Sequence, residues 1–298
     1  MDRVGRVLAV VAAVGVVVSG CGTGPSQVGS AAIVGTSAVP LEQVQSRLDV
    51  ALGKTDALAQ LSAQGVEAPD IARDVVTSTV LHDLLARTAA ADGITVTEAD
   101  VDAVLEESGG AAAVQAQSLY DLPVIRERLR DRLIAVRIAE RRAPGLTVTA
   151  DVIATDSRDD AAAKARVLAA GGPEAEALFT DNPQNSRRSM SFDAVRSPQA
   201  STVLFGLPVG RTAYFQPPQQ NSWVVLRVTD RRTDPNADPN AAASLGEADL
   251  AAIGQRLLQP LAEEVGVRVN PRFGVWDPVS MSVVPDDQES GAVLPLMG

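Results

Sequence analysis

The chemistry legible at the start of the chain belongs to one thiol. Arg3 and Arg6 precede an apolar run over residues 7–18, and Val18-Ser19-Gly20-Cys21 closes it. A run of about a dozen apolar residues is shorter than the ~20 that a helix needs to cross a bilayer, so it reads as a removable export signal. Ser19 and Gly20 are small enough to admit a signal peptidase. Cys21 is the only cysteine, so an exported chain has no disulfide partner for it. A thiol at this position can instead carry a thioether-linked diacylglyceryl group. Residues 1–20 are therefore expected to be a lipoprotein signal peptide, with Val18, Ser19 and Gly20 as its lipobox and Cys21 as the lipidation site. Each buried methylene contributes ~0.8 kcal/mol and two or more acyl chains anchor stably. The expected location is the outer face of the cytoplasmic membrane, with Gly- and Ser-rich residues 21–30 as a flexible tether.

The remaining reactive side chains do not assemble into a catalytic set. His82 is the sole histidine and has neither a second histidine nor a cysteine to share a metal with. Asp234, Asn236 and Asp238 repeat the opening of a calcium loop, but Pro239 stands where that loop needs glycine and Leu245 where it needs a bidentate glutamate. Ser186 and Ser189 flank Arg187 and Arg188 with no histidine to activate a nucleophile, which leaves an exposed loop. Arg126, Arg128, Arg130, Arg132, Arg137, Arg141 and Arg142 are interleaved with Glu127, Asp131 and Glu140. This pattern favours a solvated, salt-bridged helix face, with contact to acidic polypeptide segments or anionic envelope polymers as the alternative. There is no Gly-rich phosphate loop. Catalytic residues, metal and cofactor are all read as none.

Composition limits the partners. The 298 residues carry 37 acidic against 26 basic side chains, for a net charge of −11. Such a chain lacks the electrostatic footprint of a nucleic-acid binder. Lysine occurs only at Lys54 and Lys164 while arginine and alanine abound, a usage typical of a high-GC genome of the actinobacterial kind. Aromatic residues make up 3%, so the core must be built from Leu, Val, Ile and Ala.

The elements that would position these residues follow from periodicity. Residues 31–34 read as a strand and 35–37 as a turn. Pro40 then opens a helix with Leu41, Val44, Leu48 and Leu52 on one face, ending at Gly53. A longer helix runs over 69–91 with Ile71, Val75, Leu81, Leu84 and Leu85 inward, stopped by Asp92-Gly93. Thr97-Glu98-Ala99-Asp100 resembles a capping box for a helix through Val101, Val104 and Leu105. Another helix spans 122–142 with Ile125, Leu129, Leu133 and Val136 inward, ended by Pro144-Gly145. The period then changes to two at Leu146, Val148, Ala150, Val152 and Ala154, a half-buried strand. A helix over 161–170 capped by Asp156 or Ser157 follows, then a helical piece over 173–181 and a loop over 182–189. A strand near 190–195, a small helix near 198–205 and an antiparallel pair over 212–215 and 222–229 complete a compact unit. Residues 233–244, rich in proline, read as a linker. One last helix covers 245–265, an apolar and aromatic segment over 267–278 needs something to pack on, and residues from 285 onward are expected to fray. Phe273 and Trp276 read as packing residues of that returning segment.

This order of parts resembles the SurA and PrsA family of exported chaperones and foldases over residues 31–277. The carrying residues are the helix ending in Ala-Asp-Gly-Ile-Thr-Val-Thr-Glu-Ala-Asp-Val, then Val148-Thr149-Ala150 with its Ala-rich helix and Gly171-Gly172. Pro208-Val209-Gly210 followed by Trp223-Val224-Val225-Leu226-Arg227-Val228 completes the match. The resemblance implies an α+β architecture. A mainly helical SurA-like chaperone domain over 31–145 would be completed by 245–277, with an inserted parvulin-like domain over 146–232 and a tail over 278–298. Active parvulins resemble one another in a histidine on the first strand and another on the last. Those positions fall near Val152 and Val224 here, and the family's Gly-rich turn is replaced around Arg187 to Phe192. The resemblance thus implies a catalytically silent parvulin and a protein that binds unfolded or newly exported polypeptides. An active prolyl isomerase and a non-catalytic envelope scaffold are the alternatives.

Overall fold

The computed structural model describes residues 28–217 and 220–295, so the expected signal peptide and lipobox, with Cys21, lie outside the described residues. The chain mixes helix and strand. It opens with a hairpin of β1 (Ser30–Val34) and β2 (Ser37–Pro40), whose second strand was not expected from the sequence. Six helices follow: α1 (Leu41–Gly53), α2 (Thr55–Ser62), α3 (Ala68–Asp92), α4 (Glu98–Glu107), α5 (Ala111–Gln117) and α6 (Leu122–Arg142). Gly93 ends α3 with φ 65°, the left-handed conformation that glycine adopts without a Cβ penalty. The Thr97 box is formed: the Thr97 hydroxyl accepts from the Asp100 amide, and the Asp100 carboxylate accepts from the Thr97 amide at 2.7 Å. On α6 the inward face differs from the expected one. Ile134, Ala135, Ile138 and Ala139 are buried along with Ile125 and Val136, while Leu129 and Leu133 are only half-buried. A second helix packs on α6 from the far end of the chain, which widens its buried stripe.

The middle of the chain contains β3 (Leu146–Thr155), α7 (Arg158–Ala170), α8 (Gly172–Thr180), β4 (Ser186–Asp193), a 3-10 turn at Pro198–Ser201, α9 (Val203–Gly206), β5 (Thr212–Phe215) and β6 (Trp223–Thr233). Ser157 caps α7 by accepting from the Asp160 amide. The even positions of β3 are buried from Leu146 to Ala150, as alternation requires. At a bulge near Ala150 the buried face switches: from Asp151 onward the odd positions Asp151, Ile153 and Thr155 are buried, on the face that α7 covers, while Val152 and Ala154, expected inward, are only half-buried. The expected loop before β4 is shorter than read: Ser186 and Arg187 already pair with Ile153 and Val152.

The remaining elements are a 3-10 turn at Ala241–Ser244, α10 (Glu247–Arg256), α11 (Gln259–Val265), β7 (Val267–Val269), β8 (Val275–Asp277), β9 (Ser282–Val284) and β10 (Gly291–Leu294). The single expected helix over 245–265 is two, because Pro260 has no amide to donate and its ring would meet the carbonyl of residue 256. β7 pairs antiparallel with β1, giving the sheet β2-β1-β7, so the segment after α11 closes on the opening hairpin. The segment expected to fray from residue 285 does not: β10 pairs with β5 and extends the larger sheet to β10-β5-β6-β3-β4. β9 also docks on α3, where the Val283 amide donates to Thr77 Oγ1 at 2.8 Å. The proline-rich residues 233–244 fold back as well, since the Asp234 amide donates to the Gly145 carbonyl and Ala242 is buried.

One apolar cluster runs from α1, α3 and α6 through α10 to α9 and the even-numbered face of β3. A smaller one, with Ile153, Ala161, Ala165, Leu168, Ala175, Phe179 and Val225, lies between the sheet and α7 and α8. Among the described residues no helix is long and apolar enough to cross a membrane.

Candidate functional site

Beside the helices an apolar groove of about 470 Å³ opens between α3, α6 and α10. Three choices of residue make it. Leu81 and Leu85, one turn apart on α3, form one wall. Ala135 on α6 and Ala248, Ala251 and Ala252 on α10 form the other, and their short side chains leave a trough where larger residues would fill it. Gly254 brings α10 against α6: a Cβ there would lie 1.8 Å from the Ala135 carbonyl oxygen, so only glycine permits the approach.

The rim is polar and its charges are paired. Arg128 reaches from α6 to Asp74 on α3 at 2.6 Å and lies over the Tyr120 ring, whose hydroxyl also donates to Asp74. Burial raises the Tyr120 hydroxyl well above its ordinary value. Arg132 meets Glu247 of α10 at 2.8 Å across the end of the groove. Asp131, on the groove wall, faces His82 of α3, whose Nδ1 lies 2.8 and 3.0 Å from its two carboxylate oxygens. Asp131's hydrogen bond raises the His82 pKa above its ordinary value against the opposing effect of burial. Burial in turn raises the Asp131 carboxyl, with the His82 contact pulling the other way.

The α6 arginines are salt-bridged, as the interleaved charges suggested, but their partners lie on neighbouring elements. Arg126 binds Glu98 and Asp102, Arg130 binds Glu98, Arg137 binds Asp100, and Arg142 forks onto Asp92. Adjacent residues on a helix point to different sides, so Glu127 and Asp131 serve other partners. Glu127 receives a two-point contact from Arg47 of α1 at 2.7 and 2.9 Å. His82, Glu127 and Asp131 place three donor atoms within 4.8 Å of one another. With Arg47 occupying both Glu127 oxygens, this cluster is an ion-pair network tying α1, α3 and α6 together.

The other residues singled out in the sequence do not converge on this groove. Asp234 and Asp238 each accept from the amide two residues on, closing their own turns at 2.9 Å. The Ser186 hydroxyl is buried and donates to the Asn182 carbonyl, while the Ser189 amide, at φ 52°, donates to Asp151. Phe273 is buried and Trp276 packs against the main core. Val152 faces Leu226 and Arg187 across the sheet, and Val224 faces Ala154 and Phe215. Strand pairing puts Val152 and Val224 on the same sheet face, with Leu226, Ala154, Phe215 and Arg187 as cross-strand neighbours. The ionisable pair in that part of the sheet, Asp151 with Arg227 at 3.1 Å, lies on the opposite face. An aspartate inside an alternating apolar strand was a signal for that pair that sequence reading passed over.

No family model matches the chain, and no curated protein matches it in sequence. Among solved structures it is similar to the foldase protein PrsA from Lactococcus lactis, at 10% identity and a TM-score of 0.28, over 81% of this chain and 95% of that one. It is also similar to the foldase protein PrsA from Streptococcus pneumoniae, at 12% identity and a TM-score of 0.27, over 68% and 87% of the two chains. At these values the function has to be argued from the chain's own residues.

Proposed function

We propose that this chain is a membrane-anchored, extracytoplasmic, chaperone-like lipoprotein that holds unfolded or newly exported polypeptides. Acylated Cys21 would keep it at the outer face of the cytoplasmic membrane. The observation that carries the reading is the open groove between α3, α6 and α10, walled by Leu81, Leu85 and alanines. A trough of that kind, with its rim arginines paired to carboxylates, suits reversible docking of apolar segments of varied sequence, because burial of apolar surface is favourable and non-directional. Neither Val152 nor Val224 can exchange a proton or donate a hydrogen bond through its side chain, so the sheet unit is assigned a supporting, non-catalytic role. Purified protein should suppress aggregation of several unrelated unfolded clients without ATP, and Ala251→Trp, which fills the groove, should abolish the effect. Binding of one envelope protein alone, with no suppression for any unfolded client, would replace this reading with that of a scaffold.

A further inference from the structure

The groove contains one charge whose partner titrates near neutral pH. Asp74 is held by Arg128, and Arg132 is matched by Glu247, each a carboxylate facing a guanidinium. Asp131 alone depends on an imidazole. Its side chain is 13% exposed and that of His82 is 42% exposed, so the pair spans α3 and α6 with the carboxylate inward and the ring open to solvent. The other charged groups acting on the pair are Arg47 of α1 and Glu127 and Arg130 of α6. Arg47 and Glu127 neutralise each other, and Arg130 is held by Glu98. With His82 protonated, every charge around the groove is matched. With His82 neutral, Asp131 is an ion on the groove wall without a cationic partner of its own.

A polypeptide segment that covers Asp131 removes it from water. Burying a matched ion pair costs less than burying a lone carboxylate, because the partner replaces part of the lost hydration. Binding must then favour the protonated state of the pair, and by linkage protonation must favour binding. We propose that the His82–Asp131 pair makes client binding in this groove proton-linked, so that segments are held under mildly acidic conditions and released as the pH rises. The proposal rests on the groove being the client site. Its occupant is an apolar segment without acidic side chains facing Asp131, since a carboxylate there would meet like charge at high pH.

The chain's single histidine makes the test direct. In untagged full-length protein labelled with ¹³C-histidine, the one labelled imidazole C2–H resonance reports the ionisation of His82, separate from the histidines of any added polypeptide. Titration is run from about pH 5 to about pH 8, the span over which a histidine changes charge. It is run with and without a permanently unfolded probe, reduced and alkylated α-lactalbumin, whose affinity is measured in parallel by fluorescence anisotropy. The expected result is a higher His82 pKa in the complex and an affinity that falls with rising pH, about tenfold for each unit of that increase. His82→Gln and Asp131→Asn should both flatten the pH profile, while circular dichroism shows that they remain folded. A profile unchanged in both variants, or an identical His82 titration with and without the probe, would overturn the proton link and leave the groove reading standing. Absence of probe binding at every pH would overturn both.

Discussion

Gly254→Ala is a substitution whose sign separates two explanations. In an ordinary helix interior alanine is favoured over glycine by about 1 kcal/mol, so on local grounds the variant should be more stable. The structure reverses the expectation. An ideal Cβ at residue 254 lies 1.8 Å from the Ala135 carbonyl oxygen, 2.6 Å from its carbon and 3.0 Å from its Cα. These are backbone atoms of α6 and cannot rotate away, so α10 must retreat by more than ~1 Å to reach van der Waals separation. Overpacking of this kind costs about 1–3 kcal/mol, occasionally more. Contact with backbone that cannot move aside puts the cost near the top of that range, so after a gain of about 1 kcal/mol in helix propensity the net loss is about 2 kcal/mol, which for a chain of this size lowers Tm by roughly 4–8 °C. Thermal unfolding followed by far-ultraviolet circular dichroism measures it. A Gly254→Ala protein as stable as its parent, or more so, would show that α10 does not approach α6 this closely and would remove the groove's second wall.

Three further outcomes follow from named contacts. Arg256, 6% exposed, donates to the carbonyls of Ser201, Pro278 and Val279 and to Gln259, and burial lowers its guanidinium to about 10 despite nearby Asp277. Arg256→Met should cost about 3–5 kcal/mol in urea unfolding, because several buried acceptors lose their donor together. Truncation after Thr233 removes α10 and β7, stripping the partners of Ala135 and β1, and should expose apolar surface worth about 25 cal/mol per Å². A truncated protein with the parent's Tm would contradict the pairing of β7 with β1. Stability should also respond to pH through the ion-pair cluster. The folded His82 pKa lies above its unfolded value, so its contribution is full below ~6.5 and is lost as pH rises through the folded value. The raised Asp131 pKa acts in the same direction at lower pH, since it favours the protonated carboxyl in the folded state. Denaturation curves between about pH 6 and about pH 8 should therefore show stability falling, and His82→Gln should remove that fall.

What the sequence disclosed was local. The Thr97 box, the Gly93 stop, the Ser157 cap and the period of two from Leu146 to Ala150 each depend on residues within one turn or strand, and they appear in place; past Ala150 a bulge set by pairing with β4 and β6 reverses the buried face. The short helices α2 and α5 went unread because few apolar residues set a stripe in so short a span. β2 and β10 owe their existence to partners distant in sequence rather than to their own four residues. The groove was equally hidden. Ala248, Ala251 and Ala252 read as good helix formers, and nothing local reveals that Gly254 lets their helix meet α6. The interleaved charges of α6 suggested ion pairing, but their partners became visible only when α3, α4 and α10 were set around them.

Photo-crosslinking addresses the central claim most directly. A benzophenone side chain is placed at Ala248, which is exposed on the groove, and in a second protein at Ala163, which is exposed on α7. Each is irradiated with an unfolded client under mildly acidic conditions. The account predicts adducts from residue 248, little from residue 163, and loss of the first when Ala251→Trp fills the trough. Equal adducts from both positions, or adducts at 248 that survive the filled trough, would show that polypeptides are not held in the groove between α3, α6 and α10.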